Sequence, residues 1–190
     1  EDRAVITPLV LASEPSGESL WDKVKPLLGA RVNRVTVVSP YFDGKLTFVK
    51  RLEAELQPKE SVIAVHPAFT ELPHNAQALS PRTRFVDVSG LEGWADRCPH
   101  AKLYRFELAN GRSVVVLGSA NASAPAWLND GAKHNAELVV VHQDAAMAFE
   151  PGAGLEHKNE KLVPQTHQLG KVTFAGNKCR DRNGHASILP

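Results

Sequence analysis

His100 and Lys102 stand two residues apart at the head of a strand-like stretch, Lys102 to Leu108. Strand alternation puts both on one face. An imidazole beside an ammonium makes sense when both address one anionic group. The lysine neutralises a phosphoryl oxygen; the histidine attacks phosphorus or carries a proton. Downstream, Gly118-Ser119-Ala120-Asn121 combines a residue that permits close backbone approach with two short hydrogen-bonding side chains. Glu137, in Asn135-Ala136-Glu137, is a carboxylate placed to hold one ring nitrogen of His100 and stabilise the cation that forms. No P-loop, dinucleotide fingerprint, His-Glu-x-x-His or Cys-x-x-Cys pattern is present, and no metal-ligand set converges.

These residues need elements to position them. Arg34 to Ser39 is β-branched and apolar and predicts a buried strand. Leu46, Val49, Leu52 and Leu56 recur at helical spacing, so a helix is expected over Lys45 to Leu56, stopped by Pro58. Ser61 to His66 and Thr83 to Val88 read as further strands. Asn110-Gly111 marks a hairpin that returns the chain as Arg112 to Leu117. That return brings the 118–121 loop back beside the start of the His100 strand. A short helix is expected around Ala124 to Leu128 and a last clear strand over Leu138 to Val141. The strand at Lys171 to Phe174 is fainter. Strand, helix, strand, strand is the order of an α/β domain with a mixed central sheet flanked by helices. Residues 1–30 read as a linker and helix preceding this domain, with Ser19 capping a helix that Pro26 disturbs. The domain proper spans 31–150, and 151–190 is a partly irregular extension. The extension carries six basic residues against three acidic.

His100-Ala101-Lys102, Glu107, Gly118-Ser119-Ala120-Asn121 and Asn135-Ala136-Glu137, in this order, closely resemble the phospholipase D superfamily. That family includes phospholipases, phosphatidyl-transferring synthases, bacterial nucleases, restriction-type endonucleases and tyrosyl-DNA phosphodiesterases. Its motif is His-x-Lys, four residues, Asp, then a Gly-Ser-x-Asn loop, often with Asn-x-Glu downstream. The resemblance covers residues 32–142, the extent of one family lobe. It implies that His100 is the catalytic histidine, as nucleophile or as acid for the leaving group. It implies that Lys102 and Asn121 bind the phosphate, that Ser119 assists, and that Glu137 orients the histidine. Glu107 falls at the motif's Asp position, where the role is structural. The family's centre uses two His-x-Lys motifs facing each other, and this chain has one. The second lobe comes either from a homodimer partner or from the missing part of a longer parent chain, since the sequence opens on Glu1. An isolated monomer is then expected to be inactive or nearly so.

Composition narrows the substrate. Of 190 residues, 43% are hydrophobic and 23% charged, as in soluble globular proteins. Twenty-two Lys and Arg against 21 Asp and Glu give a net charge of +1. Bulk charge therefore attracts no polyanion, although a local phosphate site needs only a few donors. Cys98 and Cys179 are too few for a disulfide framework. No apolar run approaches a membrane span, so no stable membrane insertion and a cytoplasmic location are expected. The expected activity is metal-independent phosphodiester hydrolysis through a phosphohistidine, with no cofactor and with nucleic acid as partner; an endonuclease that binds DNA as a dimer fits. Trp94, Tyr104, Arg105 and Trp127 are candidates for the substrate rim. Two other readings stand beside it: a lipid or other phosphodiesterase, and a noncatalytic lobe that dimerises or binds nucleic acid.

Overall fold

Seven strands form one mixed sheet: β1 (Leu9–Ala12), β2 (Val32–Val38), β3 (Glu60–Val65), β4 (Thr83–Asp87), β5 (Leu103–Leu108), β6 (Ser113–Gly118) and β7 (Leu138–Gln143). Their order across the sheet is β1-β7-β6-β5-β2-β3-β4. The computed structural model describes residues 8–13, 17–66, 68–70, 72–73, 76, 79–91, 93, 100–129, 134–144, 178–180 and 186–188. β2, β3 and β4 run parallel, and β5, β6, β7 and β1 extend the sheet antiparallel. A two-stranded antiparallel ladder, β8 (Lys178–Arg180) with β9 (Ala186–Ile188), is separate from this sheet. The strand expected at Lys171 to Phe174 lies outside the described residues.

Helices α1 (Leu20–Val24), α2 (Thr47–Leu56) and α3 (Ala124–Trp127) contribute to the larger core with one face of the sheet. That core joins Val35 and Val37 of β2, Ile63 and Val65 of β3, Tyr104 and Phe106 of β5, and Val139 and Val141 of β7. The other face buries a smaller cluster, including Val38, Val62, Ala64, Val86, Leu103 and Val115. Burial of both faces explains why β2 and β3 read as nearly unbroken apolar runs and not as alternation. An aromatic group fills the larger core: Phe48 stacks on Trp127 at 4.7 Å and 8°, and Tyr104 meets Trp127 edge-on at 4.5 Å.

One local feature departs from the sequence expectations. α2 starts at Thr47, because Leu46 sits in the left-handed region at φ 53° with its side chain fully buried. Asp43 caps this start, accepting from the N–H of Lys45 at 3.1 Å and of Thr47 at 2.7 Å. The Asn110-Gly111 hairpin is wider than a two-residue turn. Leu108 N–H bonds Arg112 C=O at 2.9 Å, and of the three loop residues Gly111 alone takes positive φ, at 82°. Described residues of the 1–30 segment contact the sheet and core. β1 pairs with β7, and Leu20, Trp21, Val24 and Leu28 are buried core. Ser19 does cap α1, accepting from Asp22 N–H at 3.1 Å, and the helix gives way to a 3-10 turn that contains Pro26.

Candidate active site

His100 and Lys102 lie immediately before β5. His100 is exposed while Lys102 is 6% exposed, an unusual depth for an ammonium. Lys102 Nζ lies 3.0 Å from each ring nitrogen of His100 and 3.1 Å from its carbonyl oxygen. In a neutral imidazole only the nitrogen without a proton accepts from Nζ. Partial burial, and then the Lys102 charge, push the His100 pKa below its ordinary 6.5. The imidazole is therefore neutral near pH 7, which is the form a nucleophile needs.

The β5–β6 hairpin delivers the 118–121 loop to this point. Gly118 N–H reaches Lys102 C=O at 3.4 Å. Gly118 is required for its lack of Cβ and not for its dihedrals. An added Cβ would sit 2.2 Å from the Leu138 carbonyl oxygen and 2.8 Å from Val139 Cα. The loop is held from below by Tyr104, whose hydroxyl donates to Ala120 C=O at 2.8 Å and accepts from Trp127 Nε1 at 3.0 Å. Its far end is tied to the segment after β2. Ala122 N–H donates to Ser39 Oγ at 3.0 Å, and Ala122 bridges Phe42. Burial works against ionisation of Asp43, but the N–H groups of Thr47, Ala124 and Phe48 overcome it and hold the carboxyl below its usual range. Asp43 thus joins the starts of α2 and α3 around the loop. Sequence reasoning missed Ser39 and Asp43, whose roles depend on contacts some eighty positions away in the chain.

The sequence-derived residues fall into two groups. Ser119 donates to Glu137 Oε2 and accepts from Leu138 N–H at 3.0 Å. Asn135 Nδ2 donates to the other Glu137 oxygen at 3.0 Å. The Glu137 carboxylate is thus held by Ser119 and Asn135. The hydroxyl proton of Ser119 is given to Glu137. Ser13 anchors this arm, accepting from Glu137 N–H at 2.7 Å and donating to Asn135 C=O at 2.8 Å. Asn121 Oδ1 is buried and has no hydrogen-bond partner among the described residues.

The rim candidates are redistributed. Tyr104 and Trp127 are not rim residues: they are 1% and 0% exposed, because their hydrogen bonds and apolar bodies are used in the core. Burial drives the Tyr104 hydroxyl far above the ordinary tyrosine range, so it stays a donor. Arg105 alternates to the opposite face from Tyr104 and reaches Glu107 at 3.7 Å. Glu107 also lies 3.9 Å from Arg34, in an ion-pair group along β2 and β5. Trp94 lies outside the described residues. Tyr41, by contrast, stands against His100, with ring centroids 6.5 Å apart and planes at 74°.

No family model matches the sequence, and no curated protein matches it. Solved structures of similar shape exist. Yeast tyrosyl-DNA phosphodiesterase aligns over 71% of this chain at 15% identity with a TM-score of 0.47. The alignment spans 32% of that enzyme's chain, so the present chain matches about a third of its length. NucT from Helicobacter pylori aligns over 73% of this chain and 86% of its own, at 16% identity and a TM-score of 0.47. Nuc from Salmonella typhimurium, described as a phospholipase D family member, aligns over 73% and 84% at 16% identity and 0.40. His100, Lys102 and the 118–121 loop meet where β5 begins and β6 ends. Among the described residues no helix is long and apolar enough to cross a membrane.

Proposed function

We propose that this chain is one lobe of a metal-independent phosphodiesterase of the phospholipase D superfamily, with nucleic acid as its substrate. The observation that carries the reading is the pairing of an exposed His100 with a nearly buried Lys102 at 3.0 Å. A buried ammonium is costly unless it has a task or a partner. Here it lies against the one exposed imidazole of the motif.

In the first step a ring nitrogen of His100 attacks phosphorus. The P–O bond to the leaving group breaks, and the leaving oxygen takes a proton from the histidine of a second lobe. In the second step water attacks the phosphohistidine. The P–N bond breaks, His100 is regenerated, and the water's proton returns to the second histidine. Lys102 and Asn121 meet the charge on the non-bridging oxygens. Glu137 braces the loop through Ser119, and Tyr104 braces it through Ala120.

Cleavage of a single-stranded oligonucleotide in excess chelator tests this reading. The expected result is cleavage by a two-lobed assembly that is lost in His100→Ala. A strict magnesium requirement contradicts it. Binding without cleavage in a verified two-lobed assembly favours a noncatalytic lobe.

A further inference from the structure

Ser61 is a polar side chain in an apolar place. Strand alternation puts it with Ile63 and Val65 on the face of β3 that packs with Phe48, Val49 and Leu52 of α2. It is 1% exposed, and its hydroxyl oxygen has no hydrogen-bond partner among the described residues. A buried hydroxyl in that state is costly, and such groups normally meet protein or a bound molecule. A cavity of about 530 Å³ lies against Ser61. That is the size of a small-molecule site. Ala54, Pro58, Leu79 and Pro81 give it apolar walls. Two cations, Lys50 and Arg82, and one carboxylate, Glu53, also line it and leave one positive charge in excess. Lys50 and Arg82 are exposed and make no ion pair among the described residues. Glu53 is already engaged, since the Thr83 hydroxyl donates to it.

The walls are fixed from two sides. Arg82 N–H donates to Ser80 Oγ at 3.2 Å, and Ser80 Oγ lies 3.2 Å from the Thr83 hydroxyl that holds Glu53 of α2. Ser61 N–H donates to Arg82 C=O at 2.9 Å. The turn that carries Arg82 is therefore tied to both α2 and β3, and the cavity is preformed. We propose that it binds a small organic anion with an apolar body, its charge met by Lys50 and Arg82 and a hydrogen-bonding group met by Ser61. The site is separate from the candidate active site. Ser61 stands near the start of β3, whereas His100 leads into Leu103, which pairs with Val38 at the end of β2. The proposal is thus independent of the phosphodiesterase reading.

The experiment uses the full chain and three probes: 4-hydroxybenzoate, benzoate, which lacks the hydroxyl, and 4-hydroxybenzyl alcohol, which lacks the charge. Binding is read from amide shifts in an NMR titration. 4-Hydroxybenzoate is expected to shift the amides of Ala54, Ser61 and Arg82 and to bind about fivefold more tightly than benzoate. Ser61→Ala should bring the two acids to equal affinity. Lys50→Gln combined with Arg82→Gln should reduce 4-hydroxybenzoate to the affinity of the uncharged alcohol. Ala54→Trp should fill the cavity and abolish binding of both acids, while Tm and the cleavage rate stay unchanged. Absence of binding in wild type, equal affinity of the two acids in wild type, or binding that survives Ala54→Trp overturns the site. If Ala54→Trp does not fold, a preference for 4-hydroxybenzoate that persists in Ser61→Ala overturns it instead. Binding of the probe by a chain that cleaves no nucleic acid leaves the site standing while the phosphodiesterase reading fails. Cleavage without probe binding does the reverse.

Discussion

At the scale of single residues, the site depends on the charge state of one imidazole. His100 has a lowered pKa for two reasons, partial burial first and the Lys102 charge second. Substituting Lys102 by Met removes the second and leaves the first. The His100 pKa should then rise toward 6.5 without reaching it. Titration of the imidazole by NMR in wild type and Lys102→Met checks this, and an unmoved pKa would show that Nζ does not act on the ring. On the proposed mechanism the acid limb of kcat/KM in wild type should likewise lie below pH 6.5, since protonation would remove the proposed nucleophile. His100→Ala should abolish chelator-resistant cleavage with little change in Tm, because the side chain is exposed. His100, Lys102 and the Gly-Ser-x-Asn loop were legible in the sequence because residue type and spacing encode them. The partner of Glu137 was not. A carboxylate next to a strand offers no local sign that it will meet Ser119. Tyr104 and Trp127 look alike as rim or core in sequence, and only the fold tells which side of β5 is filled.

At the scale of elements, the β5–β6 hairpin and its neighbours β7 and β2 place the chemistry. Gly118 lies so close to the β7 backbone that Gly118→Ala must displace one strand from the other. Backbone offers no flexible end to give way. Overpacking of this kind typically costs about 1–3 kcal/mol. A lower Tm and a larger loss of activity than of stability are expected, because the displaced residues lead directly into Ser119. Tyr104→Phe leaves the Trp127 Nε1 donor and the Ala120 carbonyl without their shared partner. A buried group left unsatisfied costs about 1–3 kcal/mol. Chemical denaturation should show that loss, and activity at low temperature should fall with it as the loop loosens. The strands were readable because each is a short β-branched run bounded by turn residues. The start of α2 was not, since a buried Leu46 at positive φ is set by tertiary packing against local preference. The pairing of β1 with β7 was also hidden, because four residues of edge strand carry little pattern.

At the scale of the whole molecule, α1 and its 3-10 turn are fastened to α2 by Glu55. Burial alone would raise its carboxyl, but hydrogen bonds from Lys25, Trp21 and Arg51 hold it at about 2 against an ordinary 4.5. The sign follows from linkage: this contribution is full above pH 4.5 and is lost as the pH falls toward about 2. Glu55→Gln should therefore flatten the acid side of the Tm–pH curve, and an unchanged curve would remove Glu55 from the account.

The lobe carries one His-x-Lys, and the proposed chemistry needs two histidines with opposite roles. Its chelator-resistant activity should therefore belong to assemblies and not to single lobes. The direct measurement is the cleavage rate per chain in excess chelator, followed across protein concentration with the oligomeric state determined in parallel, for wild type and His100→Ala. The account predicts a rate per chain that rises with the two-lobed fraction and vanishes without His100. Full turnover by a proven single-lobed monomer, or persistence of that turnover in His100→Ala, would contradict it.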